Sequence, residues 1–176
     1  MRTTQEQEFR QFAAECLPWL TRTATALAGD AHRGDDLVQD TLVKAYVHWR
    51  RVQGADNPRA YLRRILVRCS MDVARSPRSR REVTVGDPAE GPARAQASVE
   101  DGSSGLVQRD ELCTALTRLG LRQRQVLVLR FIEDLDVATT ASLLNISEGT
   151  VKSTTSQALV ALRRVLAETD HQEVSR

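Results

Sequence analysis

Lys152, Ser153, Thr154, Ser156 and Gln157 recur along one side of the stretch SEGTVKSTTSQAL, residues 147–159. Val151, Ala158, Leu159 and Leu162 recur at helical spacing on the other side. A row of hydroxyls, an amide and one ammonium, with almost no carboxylate, suits reading better than catalysis. Ser, Thr and Gln donate to and accept from base edges in a major groove, and Lys contacts phosphate. Glu148 and Thr150, in the first turn, are placed to do either.

A second set is basic. Between Arg50 and Arg81 the chain carries ten Arg against only Asp56 and Asp72. Arg59, Arg63, Arg64, Arg68 and Arg75 lie off the apolar stripe Leu62, Ile65, Leu66, Cys69 and Val73. Arg50, Arg51 and Asn57 fall in the loop RRVQGADNP before it. Such a face can track a phosphate backbone. Trp49 and Tyr61 flank the loop and are candidates for stacking on an unpaired base. A third set mixes apolar and acidic groups. In DDLVQDTLVKAYVHW the stripe Val38, Leu42, Ala45 and Trp49 faces inward. Leu37, Val43 and Tyr46 are left over among Asp36, Gln39, Asp40 and Lys44, a combination that suits a protein partner.

The elements that must position these sets read as helices throughout. Phe9, Phe12, Cys16, Leu20, Ala24 and Leu27 mark a first face, which Pro18 is expected to break or kink. Gly29 ends it, and Asp35 or Asp36 is expected to cap the next helix, with Gln39 completing a capping box. Asn57 caps and Pro58 opens the Arg-rich helix. Further on, Leu112, Leu116 and Leu119 form a stripe ended by Gly120, and Val126, Leu127, Leu129 and Phe131 form another. Asp136 caps a short helix carrying Val137, Ala141 and Leu144. Asn145 then takes the sharp turn, where a left-handed residue is needed. Ile146 anchors that turn, Ser147 caps the reading helix, and Gly149 leaves room for a nucleic-acid backbone. Two short helices joined this tightly describe a helix-turn-helix. The expected fold is all-α, with two small helical domains at 1–77 and 106–168. A flexible acidic linker at 78–105 joins them, and 169–176 is a tail. The linker region holds three Pro, four Gly and no aromatic over residues 76–105.

Composition excludes several classes. Aromatics are only 4% of the chain, so its cores must be built from Leu, Val, Ala and Ile. The formal net charge of +2 decides nothing about a partner, but nearly every basic residue is Arg, only Lys44 and Lys152 being Lys. Cys16, Cys69 and Cys113 are far apart, and His32, His48 and His171 are isolated, so no metal or cofactor is expected. No signal-peptide core or membrane-spanning run occurs, which points to the cytoplasm and against membrane insertion. An enzyme would need clustered carboxylates, a His–acid pair or a Gly-rich phosphate loop, and the acids here are dispersed.

The three sets, in this order, resemble a bacterial sigma factor of the extracytoplasmic-function type, with an actinobacterial flavour in the TTS of residues 154–156. GDDLVQDTLVKAY resembles the region 2 helix that docks on RNA polymerase, and NPRAYLRRILVR the promoter-binding helix that follows it. LRQRQVLVLRFIEDLDVATTASLLNISEGTVKSTTSQALVALRR resembles region 4. The resemblance implies promoter-specific initiation, with core RNA polymerase and promoter DNA as partners, and leaves open an anti-sigma factor as a third. Asp36, Leu37, Gln39, Asp40, Val43, Lys44 and Tyr46 would then meet polymerase. Arg50, Arg51, Asn57, Arg59, Arg63, Arg64, Arg68 and Arg75 would meet the −10 element. Glu148, Thr150, Lys152, Ser153, Thr154, Ser156 and Gln157 would meet the −35 element. The alternative is a stand-alone helix-turn-helix regulator with a response-regulator-like output domain. That would need a receiver of alternating strands, where residues 1–75 read as helices.

Overall fold

The computed structural model describes residues 2–75 and 112–174, so the linker expected at 78–105 lies outside the described residues. Among the described residues every regular element is helical. α1 (Arg2–Ala28) and α2 (Ala31–Val47) form a hairpin. Gly29 makes its turn at φ 77°, a left-handed value that glycine adopts without steric cost, and Asp30 caps α2 by accepting from the Arg33 amide at 2.9 Å. The cap therefore falls five residues before Asp35, and Asp35, Asp36 and Gln39 lie inside the helix rather than forming its cap or a capping box. Gly34 lies inside α2, where α1 crosses closely: a Cβ there would sit 2.8 Å from the Thr25 Cα. Pro18 does not break α1. Pro18 and Ala14, whose carbonyl loses its partner, are both exposed, so water can satisfy that group.

α3 (Trp49–Gln53) is a short helix that takes up the first part, residues 50–53, of the loop expected over RRVQGADNP. Val52 is fully buried beneath it, which explains why these residues coil inward. α4 (Pro58–Arg75) starts as the sequence indicates, with the Ala60 amide donating to Asn57 Oδ1 at 2.9 Å. Phe9 and Phe12 pack on Trp49, and Phe9 on Tyr46, at centroid distances of 5.0–5.3 Å, fastening α1 to the end of α2.

The second group begins with a helical segment at 112–117 (α5), followed by α6 (Leu121–Leu127). A π-helical turn, Val128–Ile132, continues α6, with the Glu133 amide reaching back to the Val128 carbonyl at 2.9 Å. α7 (Val137–Leu144) and α8 (Glu148–Val174) complete it. α8 runs well beyond the reading stretch and into the expected tail. Phe131, expected in a buried stripe, is 58% exposed, because the wider π turn rotates it away from Val128 and Leu129.

The two groups share their interior. One apolar cluster joins Leu20, Leu27 and Leu62 of the first to Leu116, Leu119, Leu127 and Val128 of the second. In a second cluster, Val67 of α4 is the fully buried first-group residue set among Val126, Leu129, Ala141, Leu144 and Val151.

Candidate nucleic-acid interface

The helix-turn-helix is built as its residue types dictate. Asp136 accepts from the Thr139 amide at 2.6 Å and caps α7; those hydrogen bonds hold its carboxyl below the usual carboxylate range. Asn145 ends α7 in the left-handed conformation, φ 53° and ψ 53°. The Thr150 amide donates to Ser147 Oγ at 3.1 Å, which leaves the other first-turn amides of α8 facing outward. Space beside Gly149 is open: a Cβ there would meet nothing nearer than Ser147 Oγ at 3.8 Å. Val151 and Ala158 are fully buried, while Leu159 and Leu162 are half-buried.

Glu148, Thr150, Lys152, Ser153, Ser156 and Gln157 are exposed on one side. Ser153 donates to the Thr150 carbonyl at 3.1 Å and Ser156 to the Lys152 carbonyl at 3.3 Å, so each hydroxyl oxygen is held outward as an acceptor. Thr154 departs from the sequence expectation. It is 9% exposed and faces the interior three residues after Val151, so it does not share the reading face.

The Arg set divides into two. Arg51, Arg64 and Arg68 line an open cleft of about 400 Å³ with Lys44, His48, Tyr61, Ile65 and Asp72. Lys44 Nζ lies 3.5 Å from Asp72 Oδ2, so Lys44 points toward α4 and the cleft. Hydrogen bonding to the Cys69 thiol and the nearby Asp72 push the Lys44 ammonium up, keeping it charged. Arg50 is exposed on α3, Asn57 is engaged as a cap, and Arg75 closes α4. Tyr61 remains available to a ligand in the cleft, whereas Trp49, 4% exposed and packed among phenylalanines, is not a stacking platform.

Arg59 and Arg63 instead meet Trp19, with their guanidinium carbons 4.7 and 5.8 Å from its ring centroid. Arg63 Nε also donates to Glu133 Oε2 at 2.8 Å, while Glu133 Oε1 accepts from Trp19 Nε1 at 2.7 Å and Thr23 Oγ1 at 2.5 Å. The Thr23 hydroxyl lies 3.1 Å from the Trp19 carbonyl too, and its single proton belongs to the nearer carboxylate. Gln125 Nε2 reaches Ser70 Oγ across the same seam at 3.4 Å. Neither Glu133 nor Trp19 was singled out by sequence. The available signal was an acid directly following the stretch Val126–Ile132, apolar except for Arg130.

On α2, Asp36, Gln39, Asp40, Val43, Lys44 and Tyr46 are exposed, and Val47 extends the apolar patch. Leu37 does not belong to it. It is 3% exposed and sits in the core beside Val38, because the inward face of α2 is wider than a single stripe. Among the described residues no cluster of three His, Cys, Asp or Glu could hold a metal, and no helix is long and apolar enough to cross a membrane.

Comparison with known proteins adds to this geometry. Residues 12–81 match the family described as Sigma-70 region 2, and residues 109–162 match Sigma-70, region 4. The RNA polymerase sigma-E factor of Streptomyces avermitilis is 32% identical over 93% of this chain and 87% of its own length. The ECF RNA polymerase sigma factor SigL of Mycobacterium tuberculosis is 33% identical over 85% of this chain and 83% of its own. The sigma factor RpoE of Bartonella quintana, solved with the anti-sigma factor NepR, superposes with a TM-score of 0.69 at 28% identity, covering 92% of this chain and 98% of that one. CnrH, solved with the cytosolic domain of CnrY, shares the fold at a TM-score of 0.57 and 22% identity, over 93% and 90% of the two chains.

Proposed function

The chain belongs to the sigma-70 family, in its extracytoplasmic-function group, and from that premise we propose which surfaces carry its activity. As a sigma factor it binds core RNA polymerase and directs initiation to promoters. The exposed side of α2, with Asp36, Gln39, Asp40, Val43 and Tyr46, docks on polymerase. Lys44 works from the cleft side of the same helix. Arg50, Arg51, Arg64 and Arg68, with Arg59, Arg63 and Arg75, engage the −10 element, and Tyr61 offers a ring to an unpaired base. Glu148, Thr150, Lys152, Ser153, Ser156 and Gln157 read the −35 element. Residues 1–77 and 106–168 are the two working domains, with 78–105 as the acidic connection between them. The chain acts in the cytoplasm by binding rather than by catalysis, and an anti-sigma factor is a partner class it can meet.

The observation that carries this reading is the capped helix-turn-helix. Its left-handed Asn145 turn sets an exposed polar face on α8, in the same chain as a basic cleft on α4. A receiver-type regulator is not favoured, since residues 2–75 hold helices and no strand. Run-off transcription tests the proposal. Core polymerase plus this chain should yield a discrete transcript from a responsive promoter, and core polymerase alone should not. Equal transcription with and without the chain would overturn it.

A further inference from the structure

The side of α4 that carries Arg63, Val67 and Ser70 is occupied by contacts with the second helix group. Its centre is Glu133, whose side chain is 1% exposed. A carboxylate buried to that degree stays charged only if donors surround it. Three do, and all belong to α1 and α4: Trp19, Thr23 and Arg63. The Arg63 contact is a charge-assisted hydrogen bond of the kind a phosphate oxygen would accept.

We propose that Glu133 is an internal stand-in for a DNA phosphate. It holds Arg63 in a closed chain whose α4 can offer that guanidinium to the −10 strand only after the second helix group has moved away. The inference rests on the reading of α4 as the −10 surface. It divides the Arg set by state. Arg51, Arg64 and Arg68 face the open cleft at all times and give the closed chain a weak, non-specific hold on DNA. Arg63 joins only on opening, whereas Arg59, exposed over the Trp19 ring of its own helix group, is not covered by the second. The reading face of α8 stays exposed in the closed chain, so −35 contact needs no opening, whereas the −10 contact through Arg63 does.

The seam also carries what opposes its closure. Arg124 is half-buried against Gly29, with its Nε lacking a polar partner among the described residues. Burial and the positive charge of Arg33 push its guanidinium below the ordinary value. Closure is thus favoured by the Glu133 cluster and by Val67 and opposed by like charges, an arrangement that a strong competing anion can reverse.

The test uses the full chain and a single-stranded oligonucleotide as probe. Glu133→Gln removes the counter-ion of Arg63 and should tighten oligonucleotide binding about tenfold, because the competent fraction rises. Arg64→Ala, in the cleft, should weaken binding in both backgrounds. If Arg64→Ala weakens binding while Glu133→Gln leaves it unchanged, the latch is overturned and the −10 reading stands. If Arg64→Ala has no effect, the −10 reading fails and the latch falls with it. Should Glu133→Gln not fold, hydrogen exchange on the unmodified chain decides. Saturating oligonucleotide should speed exchange in segments 19–24 and 125–133, and unchanged or slowed exchange there would overturn the inference.

Discussion

At the scale of single residues, α8 should separate two kinds of contact. Lys152 is exposed and charged, so Lys152→Ala should weaken promoter binding for every sequence and lower the salt slope by about one unit. Ser153 and Gln157 present polar atoms outward; loss of either at a base it reads should cost about 1–3 kcal/mol and relax preference at one position. Binding measured against single-base promoter variants at several salt concentrations distinguishes the two patterns. Thr154 is excluded from this set by its burial, and Thr154→Ala should change stability rather than base preference. Asp136 adds a pH dependence. Its folded-state pKa is depressed by the Thr139 hydrogen bonds, so its contribution is complete above the ordinary carboxylate value and is lost as pH falls through the lower folded value. Melting temperatures from neutral to acidic pH should therefore fall less steeply for Asp136→Asn than for the unmodified chain.

At the scale of elements, α2 carries two demands on opposite sides. Its inner side packs on α1 so tightly at Gly34 that Gly34→Ala should destabilise the chain by about 1–3 kcal/mol, seen in denaturant unfolding. Its outer side is free of that constraint. Asp40→Arg combined with Val43→Ala should weaken binding to core polymerase while leaving the melting temperature nearly unchanged; unaltered affinity would remove α2 from the interface. Leu37 cannot serve in this test, since its truncation would open a cavity in the core. Helix positions were largely legible in the sequence because caps and stripes are local. Asn57, Asp136, Asn145 and Ser147 do what their side chains and spacing indicate. The errors fall where a local rule met a non-local partner or solvent. Pro18 survives inside α1 because the Ala14 carbonyl it leaves without a partner is exposed, and Asp30 takes the capping place of Asp35 or Asp36 because α2 starts where α1 turns back at Gly29. The π turn at Val128–Ile132 has no sequence period that announces it, so Phe131 was read as buried.

At the scale of the whole molecule, the two helix groups share apolar interior and a buried ion pair, a relation that no stripe or cap could disclose. Val67 shows why: it lies off the main stripe of α4 among arginines, and only the arrival of Val126, Leu129 and Val151 buries it. Val67→Ala should cost about 2 kcal/mol, the transfer and cavity loss of two methyl groups. With a common core, the free chain should also unfold in one calorimetric transition, where two separable transitions would indicate that the groups do not hold together. The division of labour between an exposed α8 and a partly covered α4 fits a factor that reads two promoter elements only when polymerase holds both halves in place. The most direct measurement is transcription by core polymerase and this chain from a library randomised across the promoter, followed by sequencing of the transcribed templates. Two short enriched blocks at a fixed spacing should emerge, the upstream one fading when Ser153, Ser156 and Gln157 are replaced by Ala. A library transcribed without enrichment would contradict the assignment of this chain as a promoter-selecting factor.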